Sequence, residues 1–250
     1  MDENLKKMLS YLRLQGITQH WRQYLEMAEK EQYSYTNFFS YIIEQEYKRK
    51  KENARKMRLA RAKIPRKLLI ETFPFDRQPN LNRKKIVELY DSFDYVKLKR
   101  NIIWIGNTGV GKTGLATAFL IQAINKGYTG FFILFPELLE LLYKSVADHS
   151  EAKLIKTLAA YDCLLIDEFG YVEVEPIQVG LFFTLMNKRY KNKTTFLTSN
   201  LGFKKWTSFL NNDQLTAALI DRLTETSYVF NMKKCKTLRK KLENNSDEGE

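Results

Sequence analysis

The sequence predicts an α/β domain built on a parallel central sheet covered on both faces, preceded by a small all-helical N-terminal domain. Three observations carry this. From Asn101 onward, short continuous apolar runs alternate with longer helical patterns, and the runs lack the in–out alternation of a sheet with one wet face. Residues 1–64 contain no proline and no glycine except Gly16, so that stretch reads as helix. A glycine-rich segment, residues 106–113, sits directly between the first apolar run and a helical pattern.

In chain order, Leu5, Met8, Leu9 and Leu12 recur at helical spacing and predict a first helix facing a core. Gly16 is expected to break the chain, with Thr18 capping a second helix near 19–31 that turns Trp21, Leu25 and Ala28 inward. Ser34 or Thr36 opens a long third helix with Phe38, Phe39, Ile42, Ile43 and Glu46 on successive turns, running into a basic stretch. Pro65, Pro74 and Pro79 mark a linker across which Thr72-Phe73-Pro74-Phe75 is extended. Leu81 to Phe93 reads as a helix. Strands are predicted near 102–106, 130–135, 162–167, 194–199 and 227–231, with helices between them. The expected organisation is a helical domain over 1–64, a linker over 65–80, a sheet domain over 81–243 ending in a short lid from about 232, and an acidic tail over 244–250.

An apolar share of 44% is ample for a core, and no apolar run approaches the 18 or so residues of a membrane span. The first residues lack the apolar segment of a secretory leader. Cys163 and Cys235 cannot build a disulfide framework, and His20 and His149 are isolated, so no metal cluster is expected and a reducing, cytoplasmic setting is. The formal net charge of +12 favours a polyanionic partner. Its distribution says more. Lys48 to Lys67 holds eleven Lys or Arg against the single acid Glu52, and Lys233, Lys234, Lys236, Arg239, Lys240 and Lys241 form a second cluster. Lys48, Arg49, Lys50, Lys51, Arg55, Lys56, Arg58 and Arg61 are candidates for phosphate contact with nucleic acid, the alternative being a solvated helix face.

Residues Gly106-Asn107-Thr108-Gly109-Val110-Gly111-Lys112-Thr113 read as a phosphate loop. Its glycines let backbone N–H groups turn towards phosphate oxygens, and the following helix adds its positive end. Lys112 reaches the β- and γ-phosphates, and the Thr113 hydroxyl takes a place on Mg²⁺. Cys163 to Ile166 form a buried strand ending in Asp167 and Glu168. At that position Asp167 can hold Mg²⁺ and Glu168 can polarise the attacking water; many strands simply end in solvated acids, but few do so beside a phosphate loop. Asn200 closes another strand, where it can hydrogen-bond the γ-phosphate or the water, or merely form a turn. Arg222 ends a helix beside Asp221; its guanidinium suits a transferring phosphoryl group, and the plain alternative is a surface Asp–Arg pair.

The phosphate loop, Ile166-Asp167-Glu168, Thr198-Ser199-Asn200 and Asp221-Arg222-Leu223, in this order, resemble an AAA+ ATPase of the initiator and loader type. More narrowly the chain resembles the IstB-like helper ATPases of insertion-sequence transposition. The likeness extends to Tyr35-Thr36-Asn37-Phe38-Phe39, Phe73-Pro74-Phe75, Asp167-Glu168-Phe169-Gly170-Tyr171 and Arg189-Tyr190. The resemblance implies a P-loop NTPase three-layer sandwich that binds ATP with Mg²⁺, assembles on duplex DNA, recruits or activates a cognate transposase, and hydrolyses ATP to disassemble. It further implies that Asn200 is a first sensor and Arg222 an arginine finger for a neighbouring subunit, in a homo-oligomer with shared ATP sites. Arg239 is a candidate second sensor. A helicase loader of DNA replication shares the ATPase core and differs in partner. A nucleotide-gated DNA-binding scaffold with negligible hydrolysis is a third reading, against which the intact Glu168 argues.

Overall fold

The computed structural model describes residues 1–239, and Lys240, Lys241, the end of the expected lid and the acidic tail lie outside the described residues. The chain divides into two compact units, the first Met1–Arg58 and the second beginning at Leu59.

The first unit is helical: α1 (Glu3–Tyr11), α2 (Gln15–Lys30) and α3 (Tyr35–Arg61), whose final turn belongs to the second unit. Its core is small, with Leu9, Ile17 and Ile42 buried and Leu5, Leu14, Trp21, Tyr24, Phe38 and Tyr41 packed around them. Gly16 does not break the chain as expected. It lies inside α2, where a Cβ would fall 2.2 Å from the Glu46 carboxylate. The break is at Arg13, whose φ of 57° turns the backbone left-handed between α1 and α2. The second helix therefore starts before Thr18, which is not its cap, and a kink at His20 (φ −112°, ψ 17°) sets off the stretch that follows, close to the expected 19–31. Three helices cover only one side of each other, so the predicted stripes are too wide: Met8, Leu12, Leu25 and Ile43 are exposed, and Phe39 is 68% exposed. Ser34 does open α3, its Oγ accepting the Asn37 N–H at 3.3 Å.

In the second unit, the Ala62 carbonyl accepts the Phe132 N–H at 2.8 Å, so the chain after α3 adheres to the sheet edge. Residues 70–77 form two short 3₁₀ turns rather than an extended spacer, and Ile70 and Phe73 are buried in the larger core. Asn82 caps α4 (Arg83–Ser92) by accepting the Lys85 N–H at 2.9 Å, and α5 (Asp94–Lys97) follows.

Among the described residues, five parallel strands then alternate with helices: β1 (Asn101–Ile105), α6 (Lys112–Asn125), β2 (Gly130–Leu134), α7 (Phe135–Ala147), α8 (Glu151–Ala160), β3 (Cys163–Phe169), α9 (Pro176–Arg189), β4 (Thr194–Ser199), α10 (Trp206–Leu210), α11 (Asp213–Thr224) and β5 (Ser227–Asn231). The strand order is β2-β3-β4-β1-β5. Successive side chains of one strand go to opposite faces, and each face has its own core. Ile102, Trp104, Leu165 and Phe196 pack with α4, α5 and α6. Ile103, Ile105, Leu164, Ile166 and Leu197 pack with α7 to α11. This double burial is why the strands read as unbroken apolar runs. At the amino ends of the strands Arg189 is 1% exposed; its guanidinium donates to the carbonyls of Leu158, Tyr161 and Thr194 and to the Thr195 hydroxyl. Burial pushes its pKa down to about 10.

Candidate nucleotide site

The order β3-β4-β1 decides the site, because it sets β4 between the strand that feeds the phosphate loop and the strand that ends in two acids. The loop leaves β1 with the Gly106 N–H donated to the Ser199 carbonyl at 3.0 Å. Gly109 and Gly111 adopt φ of +80° and +98°, which a side chain would strain. The Phe73 ring lies 2.6 Å from where a Cβ on Gly111 would stand, so linker and loop are in close contact.

Lys112, only 8% exposed, donates to the carbonyls of Gly106 and Asn107 at 2.8 and 2.9 Å, and burial lowers its pKa. Across from it the Thr113 hydroxyl lies 3.0 Å from both carboxylate oxygens of Asp167. Asp167 is buried, and burial raises its pKa against the lowering effect of hydrogen bonds from Thr198 and Thr113. A hydroxyl and a carboxylate facing each other offer the hard oxygens that suit Mg²⁺, which keeps several waters and takes its remaining oxygens from phosphates. Among the described residues no group of three or more His, Cys, Asp or Glu could hold a metal ion.

The sequence marks Thr198 only as part of the run ending in Asn200 and gives it no role, yet its hydroxyl donates to Asp167 Oδ1 and accepts the Glu168 N–H at 3.1 Å. One hydroxyl thus fixes both acids. Glu168 has a φ of 62°, rare for a residue with a side chain, and the β3–β4 register slips between Ile166 and Phe169. That bulge turns Glu168 out of the core so that it is exposed while its neighbours are buried. Asn200 is half-buried at the end of β4; its Oδ1 is buried without a hydrogen-bond partner and packs on Gly170. Tyr171, beyond the acids, holds the loop through its hydroxyl, 3.0 Å from Thr108 Oγ1.

Two clefts flank the loop. One of about 640 Å³ opens over Thr113, Asp167 and Glu168, walled by Glu137 and Leu141 of α7 and by Lys63. The other, about 440 Å³, opens over Gly109 to Thr117 between Arg66 and Leu68 on one side and Leu238 and Arg239 on the other.

Arg222 is not brought to these clefts. It lines a small crevice with Asn101 and Thr195, at the amino ends of β1 and β4. The length of β1, about 13 Å at about 3.3 Å per residue, separates that end from the loop. Its guanidinium stacks on Phe183 at 4.7 Å, and Nη1 is buried with no partner.

The basic candidates on α3 are more engaged than the sequence suggests, because Glu44 and Glu46 lie just upstream. Lys48 pairs with Glu44, Arg49 with Glu46 and Arg55 with Glu52, each at 2.7 Å, while Lys56 is 4.0 Å from Glu52. Glu46 is buried at 3% exposure, which makes Arg49 a structural partner. Lys48, Lys50, Lys51, Lys56 and Arg61 are exposed, and Arg58 is partly buried. No helix of the described residues is long and apolar enough to cross a membrane.

A profile of the family described as IstB-like ATP binding protein matches residues 7–246. The insertion sequence IS21 putative ATP-binding protein of Pseudomonas aeruginosa is 31% identical over 229 residues, covering 92% of this chain and 86% of that protein. The insertion sequence IS5376 putative ATP-binding protein of Geobacillus stearothermophilus is 29% identical over 233 residues, covering 93% and 92%. Among solved structures the fold is similar to DnaI, with a TM-score of 0.54 and 21% identity over 60% of this chain and 84% of that one. It is similar also to AMPPCP-bound DnaA from Aquifex aeolicus, with a TM-score of 0.56 and 19% identity over 68% and 51%. These structural likenesses show the fold, the three-layer sandwich that the sequence resemblance implied. With a profile running almost end to end and relatives aligned over nine-tenths of its length, the chain belongs to the family of IstB-like ATP binding proteins.

Proposed function

We propose that this protein is an ATP-dependent, DNA-binding helper of insertion-sequence transposition. It assembles with ATP on duplex DNA, recruits or activates its transposase, and hydrolyses ATP to disassemble. The observation that supports the reading is that the candidate residues stand at opposite ends of the strands. Loop, Thr113, Asp167, Glu168 and Asn200 gather at the carboxyl ends of the strands, while Arg222, without an acid partner among the described residues, stands at the other end. Such a chain completes its site by placing a second copy against the first. The relatives named for insertion sequences favour this reading over a replicative helicase loader, since the fold itself is shared by both.

In this reading the loop N–H groups and Lys112 bind the phosphates, and Thr113 and Asp167 hold Mg²⁺. Bound Mg²⁺ neutralises charge on the phosphoryl oxygens. Glu168 accepts a proton from the attacking water, Asn200 fixes that water or the γ-phosphate, and the nucleoside occupies the cleft between Leu68 and Leu238. Hydrogen bonds to a charged group contribute about 1.5–3 kcal/mol each. Lys112→Ala should therefore weaken ATP binding about 10- to 150-fold in a titration with a fluorescent ATP analogue. Unchanged affinity would reject residues 106–113 as the site.

Assembly is tested by mass photometry of the protein with duplex DNA and a non-hydrolysable ATP analogue. Large complexes should need both ligands, and their formation should weaken with salt. Neutralising Lys48, Lys50 and Lys51 together should make the log–log salt dependence shallower, by up to about 0.9 for each DNA phosphate they neutralise. A protein that stays monomeric with both ligands present contradicts the proposal.

A further inference from the structure

The segment that follows β5 crosses the phosphate loop. The Met232 N–H extends the sheet by donating to the Ile105 carbonyl at 2.6 Å, and the Lys233 carbonyl accepts from Asn107 Nδ2 at 3.3 Å. Further on, the Leu238 N–H donates to the Gly109 carbonyl at 2.8 Å. The approach is close enough that a Cβ on Gly109 would lie 2.6 Å from Thr237 Oγ1. Glycine at 109 is thus required twice, for its positive φ and for this strap.

The strap is held by one buried amide that lies far from it in the chain. Gln78 is 1% exposed. Its Nε2 donates to the Val110 carbonyl at 3.2 Å and to the Lys236 carbonyl at 2.6 Å, and its Oε1 accepts the Lys236 N–H at 3.0 Å. Asn80 adds a bond from Nδ2 to the Lys234 carbonyl at 2.9 Å. Two successive loop carbonyls, Gly109 and Val110, are therefore gripped by the strap and by the residue that clamps it. Peptide units are planar. Fixing those carbonyls fixes the opposite edges of the same planes, the N–H groups of Val110 and Gly111, which a phosphate loop turns towards its anion.

We propose that Gln78 is a positioning residue for nucleotide binding. It clamps residues 232–239 over the loop so that the Val110 and Gly111 N–H groups are aimed before the nucleotide arrives. Strap closure and nucleotide occupancy are then linked, each favouring the other. The consequence reaches the chain's second basic cluster, because closure brings Lys233, Lys234, Lys236 and Arg239 beside the site, with Arg239 bordering the cleft of about 440 Å³. The inference rests on residues 106–113 being the nucleotide site.

Full-length Gln78→Ala, Leu238→Pro (which removes the N–H that Gly109 accepts) and the double variant test it. Binding of a fluorescent ADP analogue and hydrogen exchange of the Lys236 and Leu238 amides are the readouts. In the unaltered chain ADP should slow exchange at both amides. Gln78→Ala should bind about tenfold more weakly, within the range usual for coupled sites, and exchange at Lys236 should no longer respond to ADP. Gln78→Glu keeps the acceptor for Lys236 and loses both donors, so it should resemble Gln78→Ala. Leu238→Pro should weaken binding similarly, and the double variant should be no worse than either, because both remove one device. A folded Gln78→Ala that binds ADP normally overturns the proposal, as does additivity in the double variant. Lys112→Ala separates the clamp from the site: if it loses ADP while Gln78→Ala does not, the clamp fails and the site stands; if it binds normally, the site itself fails.

Discussion

Glu168→Gln is expected to bind ATP normally, to lose turnover by about 10²- to 10⁴-fold, the range for removing a general base, and to accumulate assembled complexes on DNA. The register slip of β3 and the exposure of this side chain between buried neighbours mark the position. Glu168 sits at a φ of 62° after a register slip, with its N–H held by Thr198, while Asp167 beside it is buried and tied to Thr113 and Thr198. A left-handed residue that is not glycine costs about 1–3 kcal/mol, and such strain collects where a side chain must be aimed. Here it puts the carboxylate into the cleft of about 640 Å³, next to the Thr113–Asp167 pair. Glutamine keeps the shape and most of the polarity and cannot take a proton, so binding and assembly should survive the chemistry. The measurements are steady-state phosphate release and the lifetime of complexes after ATP is diluted. Turnover equal to the unaltered chain would remove Glu168 from the reaction. Negligible turnover in the unaltered chain itself, with and without DNA, would instead favour the nucleotide-gated scaffold.

The parts of this site that can be read from the sequence are those whose chemistry is local. The strands lie within two residues of their expected bounds because each is an apolar run closed by polar or turn-forming residues, and burial on both faces leaves no ambiguity of register face. The loop is legible because glycine spacing, lysine and threonine lie in eight consecutive residues. Asp167 and Glu168 are legible because they directly follow an unbroken apolar run. What cannot be read depends on partners distant in the chain. Thr198 looks like any β-branched strand residue until β4 is placed beside β3, whereupon its hydroxyl reaches both acids. Gln78 looks like a linker residue until the chain 158 positions later returns across the loop. The helical region misleads for a related reason. Periodicity names an apolar stripe but not how much of it a small bundle can cover, and Gly16 reads as a break unless the approach of Glu46 is known.

Arg222→Ala is the change with the largest expected effect on turnover and the smallest on a single subunit. An arginine delivered to a phosphoryl group from a neighbouring molecule contributes about 10³- to 10⁵-fold to turnover. The place of Arg222 in the fold supports such a role. It is held on Phe183 at 4.7 Å and lies in the last turn of α11, which leads into β5 at the end of the sheet away from its own loop. No acid among the described residues neutralises it, so the surface Asp221–Arg222 pair does not form. If the side chain served its own subunit, it would have to cross the length of a strand. The alanine variant should therefore bind ATP with unchanged affinity as a monomer and hydrolyse it about 10³-fold or more slowly in the DNA-bound assembly. Mixing decides between a shared site and a local defect. Subunits carrying Lys112→Ala retain Arg222 and lack a working loop; subunits carrying Arg222→Ala have the loop and lack the arginine. Each is nearly inactive alone, and together they should recover phosphate release at interfaces where an intact loop meets an intact arginine. Co-assembly without recovery would show that Arg222 does not act on a neighbour's nucleotide, and the division of the site between two copies would fall with it.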